Sequence, residues 1–68
     1  MELSARNQLQ GTVKSVTLGT IMAEVVVDLN GQDIVSAITR GSAERLGLVQ
    51  GTKVTVVVKA TEVMLATG

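Results

Sequence analysis

The chain has 68 residues, with six basic and six acidic side chains and no cysteine or histidine. Disulfides and zinc sites built from thiolate or imidazole ligands are therefore excluded, and so is the commonest general base. A neutral chain also lacks the broad positive field that attracts nucleic acid or an anionic membrane surface. The length predicts one domain over residues 1–68, whose small core favours association with other copies.

β-Branched residues are frequent in the first half, and apolar residues alternate with polar ones more often than they follow a helical period. This pattern predicts strands over residues 9–17, 20–29 and 32–39. The pair Asn30-Gly31 predicts a tight hairpin between the second and third strands, because both residues tolerate positive φ. The first half is thus expected to be a β-meander.

The second half is predicted to open with one or two helical turns over residues 41–48. Ser42 is the expected N-cap, and Gly47 the expected left-handed residue after the helix. Strands over residues 52–59 and 62–66 follow. These elements predict an all-β fold, a small five-stranded Greek-key barrel of the oligonucleotide/oligosaccharide-binding (OB) type with one short helical turn between strands 3 and 4. An SH3-like barrel is the main alternative.

One face of the second predicted strand is expected to be apolar and to point inward, and it consists of Ile21, Ala23, Val25, Val27 and Leu29. The second and fourth predicted strands also carry apolar residues on the face that should point away from the core. Met22 and Val26 interrupt the polar face of the second strand, and Val57 lies between Thr55 and Lys59 on the fourth. A closed barrel needs only an apolar inner face, so the extra residues predict a buried contact with another chain. Scattered surface valines, which are common, are the alternative interpretation.

Catalytic residues are not apparent. The six carboxylates are spread singly along the chain, and only Lys53 or Lys59 could activate a nucleophile. We therefore expect that the protein is not an enzyme. Nucleic-acid binding by OB-type barrels uses a basic groove with aromatic stacking platforms, and this chain has no aromatic residue. A protein- or nucleic-acid-interaction module without a small ligand remains the alternative function.

A set of hydrogen-bond donors suggests anion binding. Ser4 and Arg6 lie near the start, Thr39 and Ser42 at the entry to the helical turn, and Lys59 at the end of the fourth strand. A tetrahedral oxyanion accepts hydrogen bonds and donates none, so hydroxyls, backbone N–H groups and one or two cations are its natural hosts. Each residue also has a purely structural explanation, such as a helix cap or a solvated charge.

Five short segments, spread in order over nearly the whole chain, match one family signature. They are Ser4-Ala5-Arg6-Asn7-Gln8, Gly11, Ala37-Ile38-Thr39 followed by Ser42, Arg45-Leu46-Gly47-Leu48, and the stretch from Val58 to Met64. Together they resemble the Mop, or molbindin, family of molybdate-binding domains. The resemblance implies a free-standing OB-type domain that binds molybdate, and generally tungstate, at the subunit interfaces of a homohexamer arranged as a trimer of dimers. It also implies a role in intracellular molybdate storage or homeostasis. The first residues contain no long apolar stretch of the kind found in signal peptides, which predicts a cytoplasmic location. The neutral composition predicts no nucleic-acid or membrane partner, and no further cofactor is expected.

The resemblance further implies which residues hold the oxyanion. One wall of the site is expected at Ser4, the Ala5 backbone and Arg6. The facing wall, from a neighbouring subunit, is expected at Thr39, Ser42, Lys59 and the Ala60 backbone. A second site near the threefold axis would use the Asn7 side chain and backbone groups around Gly19 and Thr20. No side chain is expected to coordinate the metal directly, and Arg40, an extra cation between Thr39 and Ser42, is expected to face water.

Overall fold

The structure, a computed structural model, describes residues 3–68; Glu2, one of the six carboxylates considered above, lies outside this range. Within it, four strands form one antiparallel sheet: β1 (Asn7–Leu18), β2 (Met22–Leu29), β3 (Gln32–Thr39) and β4 (Lys53–Val58). A short helix, α1 (Arg40–Arg45), connects β3 to β4, and a 3₁₀ turn (Ala60–Glu62) follows β4. The strand order is β3-β2-β1-β4. The fourth strand therefore lies beside the first, which is the Greek-key arrangement predicted from the sequence.

The long strand β1 belongs to both halves of the sheet. Its first residues, Asn7 to Thr12, pair with β4, and those from Thr12 to Leu18 pair with β2. The β1–β2 register shifts between Val13 and Ser15. Such a bulge bends the strand locally and increases its twist.

The predicted hairpin and inner face are confirmed. Asn30 and Gly31 both have positive φ, 53° and 90°, between strands whose facing residues pair in register. Alternate residues of β2 point inward, and the buried core consists of Val13, Ala23, Val25, Val27 and Ala43. Ile21, expected on the same face, lies before β2 begins and is mostly exposed.

Gly11 is required by close packing rather than by its backbone angles. A Cβ atom there would lie 2.5 Å from Val27 Cγ1 and 2.7 Å from Leu29 Cδ2. The bent part of β1 can therefore approach β2 only because position 11 has no side chain.

The prediction that Ser42 is the N-cap of the helix was wrong. The helix begins at Arg40, and its N-cap is Thr39, whose extended backbone (φ −69°, ψ 149°) ends β3. Thr39 Oγ1 accepts a hydrogen bond from the Ser42 N–H, as a capping side chain does for the third helical residue. The C-terminal end of the helix agrees with the sequence-based prediction, since Gly47 has a φ of 64° and lies in a Schellman motif after α1.

The predicted fifth strand over residues 62–66 is not formed within the chain. After β4, the Glu62 N–H donates to the Lys59 carbonyl and closes the 3₁₀ turn. The residues from Val63 to Gly68, here called the C-terminal tail, have no regular secondary structure. The described residues therefore form a four-stranded sheet with two edges, β3 and β4, and not a closed five-stranded barrel. The composition of the tail suits a strand, but a strand also needs an edge to pair with.

No helix in residues 3–68 is both long enough and apolar enough to cross a membrane.

Candidate functional site

The N-terminal segment and the end of β4 meet in one surface depression, here called the β1/β4 depression. It has a volume of about 480 Å³ and is lined by Ser4, Ala5, Arg6, Val57, Lys59, Ala60 and Thr61. Strand pairing explains this meeting. Asn7 lies opposite Val58 in the β1–β4 ladder, so the residues just before β1 and just after β4 leave the sheet side by side. Five of the seven residues predicted for the main site therefore lie together in a single chain.

The β1/β4 depression is electropositive. Its two charged residues are Arg6 and Lys59, both with exposed side chains, and no carboxylate lines it. Among residues 3–68, neither cation lies within salt-bridge distance of a carboxylate. The hydroxyls of Ser4 and Thr61 add donors that can rotate towards an anion. The depression thus combines the donor types that an oxyanion accepts from.

Thr61 belongs to the β1/β4 depression and was missed by the sequence analysis. The available signal was its position next to Ala60, within the segment that resembles the Mop signature. A threonine after a strand end is common, so the residue type alone does not identify it.

Thr39 and Ser42 lie apart from the β1/β4 depression, in a hydroxyl cluster at the start of α1. The Thr39 hydroxyl donates to Ser42 Oγ over 2.8 Å, and Arg45 Nη2 donates to the same oxygen over 3.1 Å. Neither Thr39 nor Ser42 lines the depression. Within one chain, Lys59 and Ala60 thus group with Ser4 and Arg6, and the hydroxyl cluster (Thr39, Ser42 and Arg45) is separate.

The residues named for a second site are divided in the same way. Asn7 begins β1 beside the depression, whereas Gly19 and Thr20 follow the other end of that strand. The Gly19–Thr20 turn adjoins α1, because Arg40 donates from its backbone to the Ile21 carbonyl (2.7 Å) and from Nη1 to the Gly19 carbonyl (3.2 Å). Only contact between copies could bring Asn7 to this turn.

Arg40 does not simply face water, as the sequence analysis expected. Its side chain is 43% exposed, and besides the Gly19 carbonyl it contacts Glu44, with 3.7 Å between Nε and Oε1. The guanidinium therefore ties the turn before β2 to the start of α1.

Comparison with known proteins gives the family. The profile of the TOBE domain matches residues 3–65. Molybdenum-pterin-binding protein 3 of Clostridium pasteurianum is 47% identical over 66 residues, which cover 96% of this chain and 97% of that protein. The chain belongs to the Mop family of TOBE domains.

Solved structures of Mop-family proteins have the same fold. A molybdate-binding protein from Sporomusa ovata superimposes with a TM-score of 0.94 and 48% identity, covering 98% of this chain and 100% of that one. ModG, described as a cytoplasmic molybdate-binding protein and crystallised with molybdate, superimposes with a TM-score of 0.83 and 43% identity. That match covers 88% of this chain and 43% of ModG. The similar proteins are thus binding proteins.

Proposed function

We propose that this Mop-family protein binds molybdate, and by the same geometry tungstate, in the β1/β4 depression. The observation that carries the proposal is the meeting of Arg6 and Lys59 in a depression that no carboxylate lines. A dianion between two cations gains charge-assisted hydrogen bonds, which are about twice as strong as neutral ones. The names of the similar proteins, which bind molybdate or molybdenum-pterin, support the same ligand.

We further propose that each site is completed by a neighbouring copy. The depression is open and contains five of the seven expected residues, and the other two, Thr39 and Ser42, lie elsewhere on the chain. A second copy that presented its hydroxyl cluster to Arg6 and Lys59 would surround the oxyanion with donors. The apolar outer faces of β2 and β4, where Met22 and Val57 are exposed, support such contacts. The proposed assembly is a homohexamer, a trimer of dimers, in which the OB-type barrel is completed.

Ligand binding and assembly would then be linked. An oxyanion held by two chains binds the assembled state alone and stabilises it by mass action. The gain is roughly 2.7 kcal/mol per site at about a hundredfold excess over the Kd. Molybdate is expected to raise the melting temperature, whereas sulfate, whose bonds are shorter, would leave some donors out of reach in a cavity sized for molybdate.

A molybdenum-pterin is the second candidate ligand, because relatives carry that name. Pterin rings usually need a flat aromatic or apolar surface to stack on, and this chain has no aromatic residue. The composition therefore favours the inorganic oxyanion. Within the cell, the proposed role is cytoplasmic storage and homeostasis of molybdate, without catalysis, because no activated nucleophile is apparent.

Equilibrium dialysis against molybdate, tungstate, sulfate, a pterin and a short oligonucleotide tests these proposals together. The expected result is saturable uptake of molybdate and tungstate, with little sulfate, pterin or oligonucleotide retained. Uptake of pterin alone would favour the second candidate. Retention of no small ligand would leave the protein- or nucleic-acid-interaction module as the function.

A further inference from the structure

The residues just before β1 are fixed to that strand by one side chain. Gln8, the second residue of β1, donates a hydrogen bond from Nε2 to the Ala5 carbonyl over 2.9 Å. The bond closes a short loop, and Arg6 lies inside this loop. Gln8 itself is held in the sheet, where it pairs with Val57 of β4. The backbone that carries Arg6 is therefore fixed from the sheet through a single amide group.

Gln8 does not line the β1/β4 depression, but the two residues that it bonds to or pairs with, Ala5 and Val57, belong to the lining. A hydrogen bond to a strand reduces the number of positions that a segment near a chain terminus can take. Arg6 is thus held beside Lys59 before an anion arrives. Less ordering then remains to be done on binding, which favours affinity.

The same hydrogen bond belongs to a pattern around the depression. A carbonyl oxygen accepts hydrogen bonds, as an oxyanion does, so a free carbonyl at the site would repel the ligand. Three carbonyls of lining residues are each engaged by an N–H group of the chain: Lys59 by the Glu62 backbone (2.9 Å), Ala60 by the Val63 backbone (3.4 Å), and Ala5 by Gln8 Nε2 (2.9 Å). The bond to Ala5 comes from a side chain, so a substitution can remove it and leave the other two in place.

We propose that Gln8 is a positioning residue of the oxyanion site, and that it makes the site select fully deprotonated tetrahedral anions. It acts through Ala5, because its amide holds Arg6 beside Lys59 and also occupies an acceptor that a protonated anion could use. This inference rests on the proposed function, since the β1/β4 depression must hold the anion. It adds to that function a residue that does not line the site and a chemical rule for the ligand.

Sulfate and phosphate are a matched pair of probes for the selectivity. Both are tetrahedral and nearly equal in size, and at mildly alkaline pH both are mainly dianions. They differ in one proton: hydrogen phosphate has an O–H group that needs an acceptor, whereas sulfate, like molybdate, only accepts. Freeing the Ala5 carbonyl should therefore favour hydrogen phosphate and give sulfate no advantage.

The first test removes the amide and keeps the length of the side chain. Gln8→Met should weaken molybdate binding about fivefold in equilibrium dialysis, which corresponds to one neutral hydrogen bond. In competition against molybdate, the ratio of phosphate affinity to sulfate affinity should rise several-fold, whereas a general loss of structure would weaken binding of all three anions alike. Unchanged molybdate affinity, or an unchanged ratio of phosphate to sulfate affinity, would overturn the proposal.

Gln10→Met is the matched control. Gln10 lies two residues further along β1, is exposed like Gln8, and donates from Nε2 to the Thr55 hydroxyl over 3.3 Å. It does not line the depression. Its substitution should leave both the molybdate affinity and the ratio of phosphate to sulfate affinity unchanged. Equal effects of the two substitutions would show that the sheet was weakened in general, and would reject a specific role of the bond to Ala5.

The second test needs no ligand, so it separates this inference from the proposed function. Trypsin cuts after arginine, and the bond between Arg6 and Asn7 lies inside the loop that Gln8 closes. In ligand-free protein, mass spectrometry should find that Gln8→Met releases residues 1–6 several-fold faster than the unaltered protein does, and that Gln10→Met does not. Equal cleavage rates would overturn the inference alone. Faster cleavage of Gln8→Met, with no molybdate uptake even by the unaltered protein, would overturn the proposed function and the selectivity with it.

Discussion

Two polar clusters of this small protein differ in how far their own chain satisfies them. In the hydroxyl cluster at the start of α1, Thr39, Ser42 and Arg45 bond to one another, and Thr39 also caps the helix. In the β1/β4 depression, Arg6 and Lys59 lie together, and no carboxylate of residues 3–68 is within salt-bridge distance of either side chain. The first cluster therefore contributes to the stability of the chain as it stands. The second gathers charge that an external anion can neutralise, and substitutions should separate these roles.

The largest effect is expected at the β1/β4 depression. Arg6→Ala and Lys59→Ala should each weaken molybdate binding by about ten- to a hundredfold, because a hydrogen bond to a charged group contributes roughly 1.5–3 kcal/mol. The fold should be retained, since both side chains are exposed. Isothermal titration calorimetry measures the affinity.

The control for these variants is Lys14→Ala. Lys14 is also an exposed cation, but it pairs with Asp33 at 3.0 Å and does not line the depression. Its removal should leave the affinity unchanged and cost at most about 1 kcal/mol of stability. If Lys14→Ala weakened molybdate binding as much as Arg6→Ala and Lys59→Ala do, the anion would be attracted by the general positive charge and not held at a specific site.

A smaller effect, on stability, is expected at the helix cap. Thr39→Ala removes the side-chain acceptor of the Ser42 N–H and should lower the free energy of unfolding by about 1 kcal/mol. Thr39→Ser keeps the hydroxyl and should restore most of the loss. Urea titration followed by circular dichroism measures both variants. If Thr39→Ala were as stable as the unaltered protein, the cap would not support α1 in solution.

The smallest effect is expected at Ser42, and it tests whether the two clusters meet. Ser42→Ala keeps the backbone N–H that Thr39 binds, so the cap and the helix should be retained. If a neighbouring copy brings its hydroxyl cluster to Arg6 and Lys59, molybdate affinity should still fall several-fold, because one neutral hydrogen bond contributes about 1 kcal/mol. Unchanged affinity in the calorimeter would place the hydroxyl cluster outside the oxyanion site.

Local features were predictable from the sequence by itself. Asn30-Gly31 required a tight hairpin because both residues accept positive φ, and the third strand has the predicted bounds, Gln32–Thr39. Gly47 was predictable as the residue that follows the helix, because it too accepts a positive φ. The alternation in β2 also identified the buried Ala23, Val25 and Val27, since side chains of a strand point alternately to its two faces. These features depend on interactions between near neighbours in the chain.

Features that depend on distant segments were decided by the tertiary structure. That Arg6 and Lys59 share one depression follows from the pairing of Asn7 with Val58, and no local pattern specifies this register. The end of β3 at Thr39 moved the N-cap away from Ser42. The tail has the composition of a strand but pairs with no edge of its own chain. Residue type sets which backbone and charge states are accessible, whereas pairing and convergence depend on which remote segments the fold brings into reach.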